Sequence, residues 1–412
     1  MSAEPAITRA AQPRAGRICF LGPINTKGMS AATMPGLVVG AASRKVLGLV
    51  AALRGAGIAA YLVATPMVPT GKAARWFGAG RHREGAASIL RLPATTVAGA
   101  NRLLAAWNYL AFANRMRRTD TVVLYNFYPE FLPLALVLFL LGRPAVLDIE
   151  DFPNQRKNLR EFITRWSYRL LRPLCRDGIL AASHGIVTLS RAAQGCVVHG
   201  VMRRDEVPTP PFTPADDSLW VQFGGTLHRE TGTALLAEAV QLLRRDEQPA
   251  IPAITIQVTG FGDAGELRAC AEGNGASRIR VVFADGLDAD AYRALLARCQ
   301  VGLSLKMPGS IMGDTTFPSK VVEIAANGLA LITTPVSDVP VLYEGAARFV
   351  TSTDVAGLAQ ILRELAADPA ALDALRRRGH ARTLERFAPD AVAARIIGFL
   401  AGQQPAPHKA TP

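Results

Sequence analysis

Apolar positions fall into short unbroken runs, separated by stretches in which they recur at helical spacing. The runs "RICFLGPI" (17–24), "IAAYLVAT" (58–65), "TVVLYNF" (121–127), "AVLDIED" (145–151) and "GIVTLS" (185–190) read as strands. They lack polar alternation, as parallel strands covered on both faces do. A Gly/Ser/Thr-rich loop follows the first run, and the spacing then predicts a helix around 37–55, ended by "RGAG". Residues 70–100 are rich in glycine and arginine and weakly patterned, and are expected to form a mobile excursion. Prolines 208, 210, 211 and 214 cluster in "RRDEVPTPPFTPADDS" (203–218), a density that excludes helix and sheet interior and marks a linker.

Beyond it the pattern restarts. Strands are expected at 219–225, 254–262, 278–285 and 301–305, with helices between them and three more at 354–367, 370–378 and 389–401. The expectation is an α/β protein of two Rossmann-like parallel-sheet domains facing an interdomain cleft. The boundaries are an N-terminal tail 1–16, a first domain 17–205, a linker 206–218, a second domain 219–388 and a tail 402–412.

"TTFPSKVVEIAANGLALITT" (315–334) reads as loop, helix and buried strand. Val321, Val322, Ile324 and Ala325 give the helix an apolar face, and Gly328 stops it where a left-handed residue is cheapest. The helix therefore opens with Ser319 and Lys320 and carries one carboxylate, Glu323.

Five scattered cysteines lack metal-ligand spacing, which points to a reduced, cytoplasmic chain without a disulfide or zinc framework. No secretory signal is visible at the start. The most apolar run, Leu132 to Leu141, is half the roughly twenty residues of a membrane span and is expected to be a buried helix. The net charge of +13 is uneven: residues 1–205 hold 27 Lys and Arg against 10 Asp and Glu. That asymmetry suggests that the first half meets something anionic.

In order and spacing, "FGGTLHRETGTALLAEA" (223–239), "VTGFGDAGELRACA" (258–271), "VVFADGLDADAYRALLARCQVGLSL" (281–305) and "FPSKVVEIAANGLALITT" (317–334) resemble the group-1 (family 4) retaining glycosyltransferases of the GT-B fold. The resemblance implies sugar transfer from a nucleotide-diphosphate sugar, held mainly by the second domain, to a lipid-linked or polysaccharide acceptor in cell-surface glycan assembly. It implies no resident cofactor or metal; the nucleotide-sugar is a co-substrate. The last helix is expected to return to the first domain.

A leaving diphosphate needs cations or N–H donors, which helix N-termini provide. The donor set expected from the resemblance is Pro318, Ser319, Lys320 and Glu323, with Gly225, Thr226, Arg229, Gly260 and Gly262 from the strand ends, and Lys27 and Gly28 from the first domain. Glu323 aligns with the second of two family glutamates and would accept from the ribose hydroxyls. The first falls at Thr315, beside Asp314, so this is a divergent member. The usual Arg and Lys of the phosphate loop fall at Thr226 and Thr231, which leaves His228 and Arg229 as cations. Glu150 and Asp151 stand where many relatives have a His-Asp pair. With Asp314 and Thr315 they complete the expected catalytic set.

"REFITRWSYRLLRPLCR" (160–176) alternates arginines with Phe162, Trp166 and Leu170, as basic amphipathic helices at anionic membrane surfaces do. A helix with a solvated basic face accounts for the same pattern, and Pro173 is expected to interrupt it. No nucleic-acid-binding module is recognisable. Two other functions stay open: a catalytically silent GT-B protein that binds donor or scaffolds another transferase, and a nucleotide-sugar epimerase.

Overall fold

A computed structural model describes residues 16–29, 41–68, 74–97, 99–152, 159–202, 218–247, 251–309 and 315–403. The linker and both expected tails lie almost wholly outside the described residues, and Asp314 lies outside them too. The chain divides into two compact units. The first comprises residues up to Ala181, Ser190–Val198 and the chain from Pro389; the second comprises Ala182–Leu189 and His199–Ala388.

The first unit is built on an eight-stranded sheet in the order β10-β9-β8-β7-β1-β2-β5-β4. Its strands are β1 (Ile18–Gly22), β2 (Ala60–Ala64), β4 (Gly80–Glu84), β5 (Ala87–Arg91), β7 (Thr121–Tyr125), β8 (Ala145–Ile149), β9 (Ile179–Ala181) and β10 (Gly195–Val197). All pairs are parallel except β4 with β5. Every residue of β1 and β8 is buried, which is why β1 reads as an unbroken apolar run and β8 as one broken only by Asp148. The expected excursion at 70–100 is corrected here, because β4 and β5 extend the sheet and β3 (Trp76–Phe77) pairs with β6 (Ala94–Thr95). On β4 exposed arginines alternate with half-buried residues, and such an edge strand carries little apolar signal.

Helices α1 (Ala41–Gly55), α2 (Ala100–Ala113), α3 (Leu132–Leu140) and α4 (Leu159–Leu174) belong to this unit. Pro173 sits in the last turn of α4 and does not interrupt it. Helix α3 is only partly buried: Leu134, Ala135 and Leu138 face inward, while Leu136, Leu140 and the following Leu141 are exposed. Residues 185–190, expected as a strand, instead form helix α5 (His184–Ser190). The buried strand there is the shorter β9, just before it.

The second unit holds a six-stranded parallel sheet in the order β13-β12-β11-β14-β15-β16. These are β11 (Leu219–Leu227), β12 (Ile254–Gly262), β13 (Ile279–Phe283), β14 (Val301–Ser304), β15 (Ala330–Thr333) and β16 (Arg348–Phe349). Its helices are α6 (Thr233–Arg245), α7 (Gly265–Glu272), α8 (Ala289–Arg298), α9 (Ser319–Ala326), α10 (Val339–Leu342), α11 (Val355–Ala367) and α12 (Pro369–Phe387). The final helix α13 (Pro389–Leu400) packs on α1 and is part of the first unit. Leu236, Val240, Val221, Ile256 and Leu362 are fully buried in one core between sheet and helices. Burying each such side chain contributes about 1.5–3 kcal/mol.

Candidate donor site at the sheet switch point

In the second unit the chain runs outward from β11 to β12 and β13, then returns to the other side of β11 as β14. The carboxyl ends of β11 and β14 thus flank the point where strand order reverses, the place where open parallel sheets bind ligands. The sequence builds this point tightly. Strands β11 and β12 stay paired to their tips, Gly225 opposite Gly260 and Leu227 opposite Gly262. A side chain on Gly260 would lie 1.9 Å from the Gly225 carbonyl oxygen, and one on Gly262 would lie 2.3 Å from that of Leu227. Both have positive φ, 120° and 128°. These two glycines are therefore required by strand contact and left-handed backbone. Proximity to a phosphate is not needed to explain them.

Helix α9 is seated against β14 because Gly302 leaves room for Ile324: a Cβ at Gly302 would meet Ile324 Cγ2 at 2.5 Å. Pro318, in an extended conformation, precedes the helix, and no side chain caps its first turn. The backbone N–H groups of exposed Ser319 and of Lys320 open the helix, where the dipole favours an anion. Gly328, at φ 70°, follows the last turn as expected.

Lys320 Nζ donates to Glu323 Oε2 at 2.6 Å and to the Tyr292 hydroxyl of α8 at 2.8 Å. It lies 5.2 Å from the centroid of the Tyr292 ring. Burial works against the ammonium, but the Glu323 carboxylate and Tyr292 raise its pKa above the ordinary lysine value. Burial likewise raises the Tyr292 hydroxyl. A methyl group at Gly225 would sit 3.4 Å from Lys320 Cε, so the lysine lies beside the β11 tip. The pair remains partly open, with the Lys320 side chain 28% exposed and that of Glu323 24%.

Around this core the other expected residues divide. Thr226 is exposed, and its carbonyl accepts from Thr231 Oγ1 at 2.8 Å, which closes the loop after β11. His228 and Arg229 are exposed on that loop, and Arg229 faces Glu266 at 3.7 Å. Thr315 is buried, and Ser183 Oγ donates to its carbonyl oxygen. Tyr292 was not expected; it lies 28 positions before Lys320 on a separate helix, with no spacing to link the two.

The first unit also has a switch point, between β1 and β7. Lys27 and Gly28 follow β1. The Lys27 N–H donates to Glu84 Oε2 at 3.0 Å, and Thr26 Oγ1 lies 2.8 Å from His82 Nε2. A side chain at Gly28 would strike the His82 ring at 2.7 Å, so β4 shapes this loop. Glu150 follows β8 and is ion-paired with Lys45 of α1; its N–H is held by Asn126 Oδ1 at 2.9 Å. Asp151 is exposed beside it. Asp148 is buried beneath, and neither of its carboxyl oxygens has a hydrogen-bond partner among the described residues. Burial pushes its carboxyl up to about 7. Lys45, Asp148 and Asn126 were not anticipated as part of this cluster.

One further cluster of metal-ligating type occurs among the described residues: His184, His199 and Asp338 of the second unit, with ligand atoms within 4.8 Å of one another. Asp338 Oδ2 accepts from the His184 backbone N–H at 2.8 Å and lies 3.0 Å from His184 Nδ1 and 2.7 Å from His199 Nε2. Burial opposes ionisation of Asp338, but these hydrogen bonds prevail and hold its carboxyl well below the usual range. The arrangement ties α5 and the chain at His199 to the segment before α10. All five cysteines are buried free thiols.

Residues 240–398 match the family model for glycosyl transferase-like domains. No curated protein matches the chain closely enough to count as a relative. Among solved structures, trehalose-6-phosphate synthase OtsA is similar at 11% identity and TM-score 0.67, covering 93% of this chain and 99% of its own. Anabaena Alr3699/HepE, solved in complex with UDP and glucose, is similar at 16% identity and TM-score 0.61, covering 94% and 100%. TarM is similar at 8% identity and TM-score 0.56 over 73% of this chain, which spans 58% of TarM's length. Segment 240–398 is thus a glycosyl transferase-like domain, and the chain has the GT-B fold of glycosyltransferases.

Proposed function

We propose that this protein is a glycosyltransferase that moves a sugar from a nucleotide-diphosphate sugar to a lipid-linked or polysaccharide precursor of cell-surface glycans, at the cytoplasmic face of a membrane. The observation that carries the reading is the start of α9 at the switch point of the second sheet, with Lys320, Glu323 and Tyr292 joined there. A bound diphosphate would take the open N–H groups of Ser319 and Lys320 and draw Lys320 Nζ away from Glu323. Glu323 would then accept from the ribose hydroxyls. Charge that builds on the leaving diphosphate is met by a cation already partly desolvated by its surroundings, a stabilisation worth more than in water.

Glu150 and Asp151, at the end of β8, are proposed to orient the acceptor hydroxyl. Uridine is the favoured base because HepE, a fold relative, holds UDP. Retention of configuration is favoured because trehalose-6-phosphate synthase, another fold relative, transfers with retention. Burial of Thr315 supports a sugar seat that does without the first family glutamate. The same burial favours the second reading, a donor-binding protein without turnover.

Calorimetric titration with UDP, GDP and ADP tests donor binding, and release of nucleotide from the matching sugar donors tests turnover. The wild type is expected to bind one nucleotide, with Glu323→Ala weakening it by about tenfold or more, the effect of losing a charge-assisted hydrogen bond. Affinity unchanged in Glu323→Ala would remove the donor site from α9. Binding without turnover on any acceptor would leave the second reading.

A further inference from the structure

We infer that the outer face of α2, α3 and α4 is a docking surface for anionic glycerophospholipid. The inference gives a place to the membrane-face part of the reading above, and it stands or falls independently of sugar transfer.

Sheet order puts these three helices together. The connections β5 to β7, β7 to β8 and β8 to β9 all step toward the β10 edge, whereas β1 to β2, through α1, steps the other way. Right-handed crossovers therefore set α2, α3 and α4 side by side on one face of the sheet and α1 on the opposite face. Packing agrees: α3 contacts both α2 and α4, and Arg176, just past α4, stacks its guanidinium 3.7 Å above the Phe139 ring of α3.

Each helix turns an apolar stripe outward. On α2 the stripe is Leu103 and Trp107, one turn apart and 76% and 68% exposed. On α3, a helix without a single charged residue, it is Leu136 and Leu140. On α4 it is Phe162, Trp166 and Leu170. More than half of the large apolar side chains exposed among the described residues lie on these helices or at their ends. Apolar side chains exposed singly are ordinary, whereas their concentration on three neighbouring helices marks an interaction surface.

Charge selects the occupant. The three helices carry one acid, Glu161, against five arginines, and Arg165 and Arg169 lie between the apolar positions of α4. A protein partner buried against such a face would have to desolvate these guanidinium groups. A lipid surface accepts the apolar side chains among its acyl chains and leaves the arginines at the phosphates. Tryptophan on two of the three helices suits the same boundary. No helix among the described residues is long and apolar enough to cross a membrane, so the face lies on the bilayer and does not pass through it.

Flotation of the full chain with vesicles of phosphatidylcholine, alone or mixed with phosphatidylglycerol, tests the inference. Wild-type protein is expected to float at least about tenfold more tightly with the anionic vesicles, and Arg165→Gln/Arg169→Gln is expected to lose most of that preference, since each cation near the surface is worth about fivefold. Trp107→Glu/Trp166→Glu is expected to abolish flotation and leave UDP affinity unchanged, because both residues are exposed in the first unit. Absence of wild-type flotation on anionic vesicles, with UDP binding intact, would overturn the dock and spare the transferase. So would a dimer in lipid-free solution that the tryptophan pair of substitutions dissociates. Flotation without nucleotide binding would do the reverse.

Discussion

Each unit carries a lysine–glutamate pair at the carboxyl end of its parallel sheet, and the two differ in what surrounds them. Lys320 and Glu323 stand one helical turn apart on α9, both about one quarter exposed, with the tyrosine hydroxyl of Tyr292 as their third member. Lys45 reaches Glu150 from another element, its own side chain is 9% exposed, and the third member is the buried carboxyl of Asp148. A nearly buried lysine paired with a half-buried carboxylate above a buried one is fixed in place. One that shares a single carboxylate with a tyrosine at a helix start can be drawn to an anion. Similar side chains thus give one sheet an anchored lysine that holds Glu150 in place, and the other a lysine able to move to a ligand.

Replacing the two lysines should separate these roles most sharply. Lys45→Met leaves Glu150 and Asp148 as partly or fully buried acids without their cation, and is expected to destabilise the chain by about 3–5 kcal/mol in urea unfolding. Lys320→Met is expected to shift unfolding far less and to lower kcat/KM for the donor by about 100-fold or more, as loss of a preorganised charge partner does. Near-equal stability losses for the two variants would erase the distinction.

Asp148 gives the anchor its own signature. The folded chain holds its proton up to about pH 7, whereas an unfolded aspartate releases it near 3.8. The unfolded state is therefore the more readily deprotonated, and stability contributed by this group falls as pH rises from about 4 to 7 and is level above that. Asp148→Asn is expected to flatten that part of the curve of unfolding midpoint against pH. An unaltered slope would mean that the carboxyl is ionised in the fold.

Where these clusters come from explains what the sequence could reveal. Strands such as β1 and β15 were legible because burial on both faces leaves a nearly continuous apolar run. Gly328 and the helix before it were legible because capping is local chemistry. Strand β4 was not, since an edge strand needs no apolar face on its outer side and is recognised only once it pairs with β5. Helix α5 is seven residues of mixed spacing, too short for its period to show. Among site residues, Glu323 and Lys320 lie within one motif. Tyr292 and Lys45 join their partners across 28 and 105 positions, and such pairings come from topology alone. Gly260 and Gly262 were legible as glycines, but the strand contact that requires them was not, because β11 is placed against them only in the fold.

The smallest expected effect decides which cation serves the donor diphosphate. The resemblance leaves Arg229 and His228 as the cations of the loop after β11, in place of the usual Arg and Lys at Thr226 and Thr231. Arg229 is 79% exposed and 3.7 Å from a half-exposed Glu266, a pair worth below about 0.5 kcal/mol to the fold in water. Its charge is screened over about 8 Å at physiological salt, whereas that of Lys320 is partly shielded from solvent by Tyr292 and Glu323. Arg229→Ala should therefore leave unfolding unchanged and weaken UDP binding by no more than about threefold at physiological salt, rising at low salt. Titrations at two ionic strengths check this. A loss larger than that of Lys320→Met, insensitive to salt, would show the loop closing over the nucleotide and would move the cationic role from α9 to the tip of β11.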